Sequence, residues 1–229
     1  MKKLLTGFTM VFIAMVTLMP LAKAQKAPFT GTIVYDVTLS GDVPEQAKPM
    51  MPTEMTMKIS PDKMITVMHS SMMDIKNIFD APAQVSNMLM DMMGQKFNIK
   101  NTAAELADQK KKAGMVITVK PTTETKTIAG YNCKKAIMTV KSNQAAEQTF
   151  DVYFTEDFDV SKFNFASTLP EVNGMALQFS MAQGPFSLKM VARSVKKENI
   201  AASEFAIPTD YKQVTTEQLK TMFGGGGQQ

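Results

Sequence analysis

One cysteine, one histidine and no tryptophan in 229 residues close off much of the usual chemistry. A single histidine removes most His-based acid–base schemes, His-rich zinc sites and paired-His metal centres. A Ser-His-Asp arrangement has only His69 to use, and no Gly-x-Ser-x-Gly elbow occurs. No glycine-rich phosphate loop is present, because the only glycine run is the tail Gly224–Gly227. Cys133 has no partner for an intrachain disulfide. It sits within an alternating segment, so a buried structural thiol is expected rather than a redox site. These gaps argue against an enzyme and call for no cofactor.

Beyond residue 21 no long uncharged run occurs, so no transmembrane span is expected in the mature chain. The first 24 residues carry the opposite signal. Met1-Lys2-Lys3 precedes an apolar run from Leu4 to Leu21, followed by Ala22-Lys23-Ala24. A basic n-region, an h-region and a small-x-small site form a cleavable signal peptide. The mature chain is then periplasmic or secreted, beginning at Gln25. No lipobox cysteine follows the site, so no N-terminal lipid is expected.

Charge must be read after that removal. The chain has 25 basic and 21 acidic residues, for +4. Lys2, Lys3 and Lys23 fall in the signal, leaving 22 against 21, or +1. That balance gives no reason to expect nucleic acid as a partner.

The mature chain reads mostly as strands. From Phe29 the residues Ile33, Tyr35, Val37 and Leu39 alternate with Thr32, Asp36 and Thr38, a period-two pattern. Met55, Met57 and Ile59 repeat it, and Ser60-Pro61-Asp62-Lys63 turns into a strand at 64–69. Further strands are expected at 115–120, 124–128, 132–141, 148–155, 175–181 and 186–196, with turns at Ala129-Gly130, Ser142-Asn143 and Gln183-Gly184-Pro185. Val85–Met93 reads as a strand turning through Met93-Gly94 into Phe97 and Ile99. Thr102-Ala103-Ala104-Glu105 and Thr215-Thr216-Glu217-Gln218 have capping-box spacing, which predicts two helices, the first running to about Lys112. The fold class is mainly β (α+β): an antiparallel sheet, strongly twisted and covered by a few helices. The expected organisation is a signal peptide over 1–24, one sheet domain over 25–214, and a helix with a disordered Gly-rich tail over 215–229.

Methionine is the positive feature. Of 22, twelve lie between Met50 and Met93, and they are periodic. Met55 and Met57 share a face, as do Met64 and Met68, and Met88, Met90 and Met92. Core filling, a deformable apolar pocket and soft-metal binding all fit such a cluster. The pocket reading nominates Met55, Met57, Met64, Met68, Met88, Met90, Met92, Phe97 and Ile99 as ligand-binding residues. The Cu(I) alternative nominates Met68, His69, Met72 and Met73. The carboxylates Glu156, Asp157 and Asp159 read as a solvated loop and lack EF-hand spacing.

Three anchors carry a family resemblance: Phe29-Thr30-Gly31-Thr32-Ile33-Val34-Tyr35, Ile128-Ala129-Gly130-Tyr131-Asn132-Cys133-Lys134-Lys135, and Phe205-Ala206-Ile207-Pro208-Thr209-Asp210-Tyr211. On these the chain resembles the exported Bacteroidetes-type domain of unknown function 4412 family, similar in fold to the LolA and LolB periplasmic lipoprotein carriers and receptors. The resemblance implies a single strongly curved sheet, an incomplete barrel, with helices closing an apolar cavity. One departure is visible: LolA-type carriers begin with a helix, whereas this chain enters a strand within five residues of Gln25. The functional expectation is an exported, non-enzymatic protein holding an acyl chain, lipid or lipoprotein moiety. The alternatives are a periplasmic Cu(I)-binding protein and a structural module for a cell-envelope partner.

Overall fold

The computed structural model describes residues 28–224 apart from 144–145, 168–171, 173 and 184–185. The expected signal peptide over 1–24, the expected Gly-rich tail after residue 224 and part of the expected turn at 183–185 therefore lie outside the described residues. Twelve strands form one open sheet: β1 (Gly31–Gly41), β2 (Glu54–Ile59), β3 (Lys63–His69), β4 (Met73–Asp80), β5 (Val85–Met92), β6 (Gln95–Thr102), β7 (Val116–Ile128), β8 (Tyr131–Lys141), β9 (Gln148–Thr155), β10 (Met175–Gln183), β11 (Phe186–Lys197) and β12 (Lys212–Gln213). Helix α1 (Ala103–Lys112) joins β6 to β7, and α2 (Thr216–Gly224) follows β12.

The spatial order is β12-β6-β5-β4-β3-β2-β1-β11-β10-β9-β8-β7. Every pairing is antiparallel except β12 on β6. Two meanders, β1–β6 and β7–β11, are thus joined where β1 pairs with β11. The expected mainly-β fold, with one antiparallel sheet and few helices, is what forms. Two strands were not foreseen: β4, between two strands that were, and the two-residue β12.

Local chemistry explains the turns. The hairpins β5–β6 and β7–β8 each close through two residues, Met93-Gly94 with φ of 52° and 86°, and Ala129-Gly130 with φ of 48° and 84°. Two consecutive positive φ values make type I′ turns, whose twist matches that of the flanking strands. Helix α1 starts on a complete capping box: Glu105 N–H donates to Thr102 Oγ1 at 3.3 Å, and Thr102 N–H donates back to Glu105 Oε2 at 2.7 Å.

The main core lies on the face that carries Ile33, Tyr35 and Val37 of β1, together with Met55 and Met57, Leu177 and Met190. Phe158, the buried residue within the acidic loop, packs its ring 4.4 Å from that of Phe29 and 4.7 Å from that of Tyr131. The opposite face of β3–β5 is also covered. Ile65, Ile78 and Leu89 pack there against Phe205 and Tyr211 of the segment that follows β11. At the β6 end, Phe97 and Ile99 pack under Val214 and Leu219.

The β1–β11 junction tolerates no side chain at Gly31. A Cβ there would lie 2.1 Å from the Lys196 carbonyl oxygen and 2.9 Å from the Phe29 ring. Gly31→Ala is therefore expected to destabilise the protein by about 1–3 kcal/mol, the usual cost of overpacking. Urea denaturation followed by circular dichroism checks this, and an unchanged midpoint would contradict it.

Candidate functional site

Register places all nine nominated apolar residues on one face of the sheet. One row runs Ile33, Met57, Thr66, Asn77, Met88, Ile99 across β1–β6, and the next runs Tyr35, Met55, Met68, Ile75, Met90, Phe97. Met64 and Met92 occupy flanking rows, opposite Phe79 and Met73. The structure divides this face in two. Met55, Met57, Met64 and Met68 line a cleft of about 230 Å³. Met88, Phe97 and Ile99 instead pack beneath Val214 and Leu219. Met90 and Met92 share their strand and do not line the cleft.

A floor and two walls build the cleft. Its floor is β2–β4, with Phe79, Thr66 and Asn77 beside the four methionines. One wall is the 3-10 turn Ser161–Ala166 with its neighbours, contributing Val160, Phe163 and Asn164. The other wall is β10, contributing Met175, Phe179 and Met181. Tyr35 ties the floor to that wall. From β1 its hydroxyl donates to the Ala176 carbonyl on β10 at 3.0 Å, and its ring meets Phe179 edge-on at 5.8 Å. No charged side chain lines the cleft among the described residues.

Thr66, Asn77 and Phe79 were not foreseen as site residues, although Met73, Ile75 and Phe79 do alternate. Met175, Phe179 and Met181 lie on a strand that was foreseen, but their opposition to β2–β4 arises only from the tertiary fold.

A second cleft of about 150 Å³ adjoins the first and shares Met68 and Met181 with it. Met50, Met51, Met73 and His69 also line it. The nominated metal set is only partly gathered there. His69 Nδ1 lies 2.7 Å from Asp74 Oδ1 on the exposed side of β3 and β4, and Met72 is 40% exposed in the turn and lines neither cleft. Among the described residues no three His, Cys, Asp or Glu side chains gather as a metal site.

A larger groove of about 390 Å³ separates α1 from residues 213–218. Its polar groups have local tasks. Glu105 caps α1, Gln109 donates to Asn101 at 2.8 Å, and Gln218 accepts from the Thr215 amide at 2.8 Å. The carboxylates after β9 do not converge either: Glu156 pairs with Lys134 at 2.8 Å, and Asp159 accepts from the Ser161 amide at 3.0 Å.

Two buried titratable groups belong to the main core. Burial pushes the Tyr35 hydroxyl well above its ordinary range, and pushes the Cys133 thiol up as well. Both stay protonated at neutral pH. Cys133 is 0% exposed, so a thiol reagent at pH 8 is expected to label the native chain at least a hundredfold more slowly than the urea-unfolded chain, a gap set by the free energy of opening. Rapid native labelling would contradict this burial.

None of the curated proteins matches the chain. A family model described as N-glycanase peptide, N-terminal domain matches residues 102–220, more than half of the chain. This overturns the resemblance to the domain of unknown function 4412 family and to the LolA-like carriers, and the lipid-binding expectation no longer has that resemblance to support it. The physical reason lies in the three anchors. One is an edge-free β1, one a type I′ hairpin at Ala129-Gly130, and one a covering segment anchored by Phe205. Each is a device that many antiparallel sheets share, so together they report on strands and turns rather than on ancestry. From α1 through β7–β11 to α2, the chain belongs to the N-glycanase peptide, N-terminal domain family.

Proposed function

We propose that this chain is an exported, non-enzymatic binding module that holds an apolar organic group in the cleft between β2–β4 and β10. The observation that carries the reading is the lining itself: methionine and phenylalanine side chains from β2, β3, β4, the 3-10 turn and β10, with no charge among the described residues. Unbranched thioethers repack around differently shaped apolar groups, which suits a site for a varied ligand. Burial supplies about 25 cal/mol per Å² of apolar surface before ordering costs. A family described as an N-terminal domain supports an accessory rather than a catalytic role. The basic and apolar start of the chain supports export.

The cleft calls for a strongly curved sheet, an incomplete barrel, and the connectivity supports one. β6 and β7 are separated by nine intervening strands, about 48 Å if the sheet were flat. They are joined only by the ten-residue α1 and residues 113–115, a link of roughly 25 Å. A short link between distant strands is satisfied when the sheet rolls its two ends toward each other.

The test is titration of the full chain with a neutral apolar fluorophore, N-phenyl-1-naphthylamine. Saturable binding is expected, and Met64→Lys, which places an ammonium in the apolar lining, is expected to weaken it at least tenfold with the circular dichroism unchanged. An unchanged affinity in that variant would remove the cleft as the site. Incubation of the purified chain with a denatured glycoprotein is expected to release no glycan; release that tracks the protein through purification would refute the non-enzymatic reading.

A second reading is supported by the adjoining cleft, where Met50, Met51, Met68, Met73 and Met181 converge. Thioethers are soft ligands that suit Cu(I). In competition with a Cu(I) chelator, Met51→Leu/Met73→Leu is expected to lose affinity while His69→Ala keeps it. Equal affinity in the wild type and the double variant would eliminate the metal reading.

A further inference from the structure

We infer that the ligand of the first cleft is amphipathic and uncharged, with a single hydrogen-bonding head such as a carboxamide or hydroxyl seated on Thr66 and Asn77. These two are direct cross-strand neighbours on β3 and β4, on the face that forms the cleft floor. Asn77 Nδ2 donates to Thr66 Oγ1 at 3.3 Å. Thr66 is only 8% exposed, so its hydroxyl is set into the floor rather than into bulk water.

Counting donors and acceptors shows what remains. The hydroxyl oxygen of Thr66 accepts from Asn77, which leaves the hydroxyl hydrogen to donate. Asn77 Oδ1 accepts no hydrogen bond from the described residues, and it is not among the side-chain atoms buried without a partner. The pair therefore offers one donor and one acceptor side by side at an open surface. If the amide is turned the other way, Thr66 donates to Asn77 and an N–H faces the cleft, so the pair still keeps polar capacity.

The surroundings set the charge of the head. The neighbouring positions on this face are Met57 and Met88 along the row, with Met55, Met68, Met64 and Phe79 in the flanking rows. None carries charge. A carboxylate brought here would lose water without gaining a cation, which disfavours it strongly. A neutral amide or alcohol matches both the donor and the acceptor. Few convergent polar groups in an apolar cavity fix orientation and specificity. In size, a cavity of roughly 150 Å³ holds benzene, and this cleft is larger at about 230 Å³.

Such a head presupposes the apolar cleft proposed above. The experiment is calorimetric titration of the full chain with octanamide and with sodium octanoate at pH 7.5, with the naphthylamine fluorophore as a reporter of the cleft. Octanamide is expected to bind at least tenfold more tightly than octanoate. In Thr66→Val/Asn77→Leu, which keeps the side-chain volumes close, octanamide is expected to weaken about fivefold to tenfold relative to the fluorophore, which still binds. Octanoate binding as well as octanamide, or a double variant that keeps its octanamide affinity while the fluorophore binds, overturns the polar anchor and leaves the apolar cleft standing. If neither octanamide nor fluorophore binds the wild type, the cleft reading fails and the anchor falls with it.

Discussion

Two runs of hairpin-connected strands, β1–β6 and β7–β11, meet along one seam, the antiparallel pairing of β1 with β11 over Gly31↔Lys197 to Gly41↔Phe186. Every other antiparallel pairing in the sheet is local in sequence. The seam is fixed by burial: Ile33, Tyr35 and Val37 all face the main core, so a one-residue slip would turn them to the other side. On the outer side Arg193 reaches Asp36 at 2.9 Å and Glu54 at 2.7 Å, bracing β11, β1 and β2. These pairs are exposed and add little energy by themselves. They mark the register that the core enforces. The candidate cleft depends on the seam, because its floor comes from one run of strands and its β10 wall from the other.

Much of this was legible where one face of a strand is buried and the other wet. The alternation in Phe29–Leu39 gave β1, and the dipeptides Met93-Gly94 and Ala129-Gly130 gave two hairpins whose positive φ values the structure shows. Capping chemistry at Thr102 and Glu105 gave α1. β4 was hidden for a physical reason. Its Ile78 is buried against the opposite side, where Phe205 lies, while Asn77 shares a row with Thr66 and with the apolar Ile33, Met57, Met88 and Ile99. A strand covered on both faces loses the contrast that makes period two visible.

The site was legible only as a stripe. Period two puts Met55, Met57, Met64, Met68, Met88, Met90 and Met92 on one face, and the register agrees. Nothing local says that Val214 and Leu219 cover one end of the stripe while Phe163 and β10 overhang the other. The polar pair Thr66–Asn77 was harder still, since each residue alone looks like an ordinary strand position. The family assignment failed for a related reason: turns, a buried cysteine and an anchored covering segment recur wherever such sheets form, so they do not discriminate between families.

The same seam bears on how the chain must assemble. β1 is the first strand of the sheet to leave the ribosome, yet its partner β11 ends at Lys197. Until that residue is available, β1 can pair only with β2, and its other edge lies open. Closing so long a stretch is entropically costly and slow compared with forming hairpins. A chain built this way stays incompletely folded through most of its synthesis, until β11 arrives to lock β1.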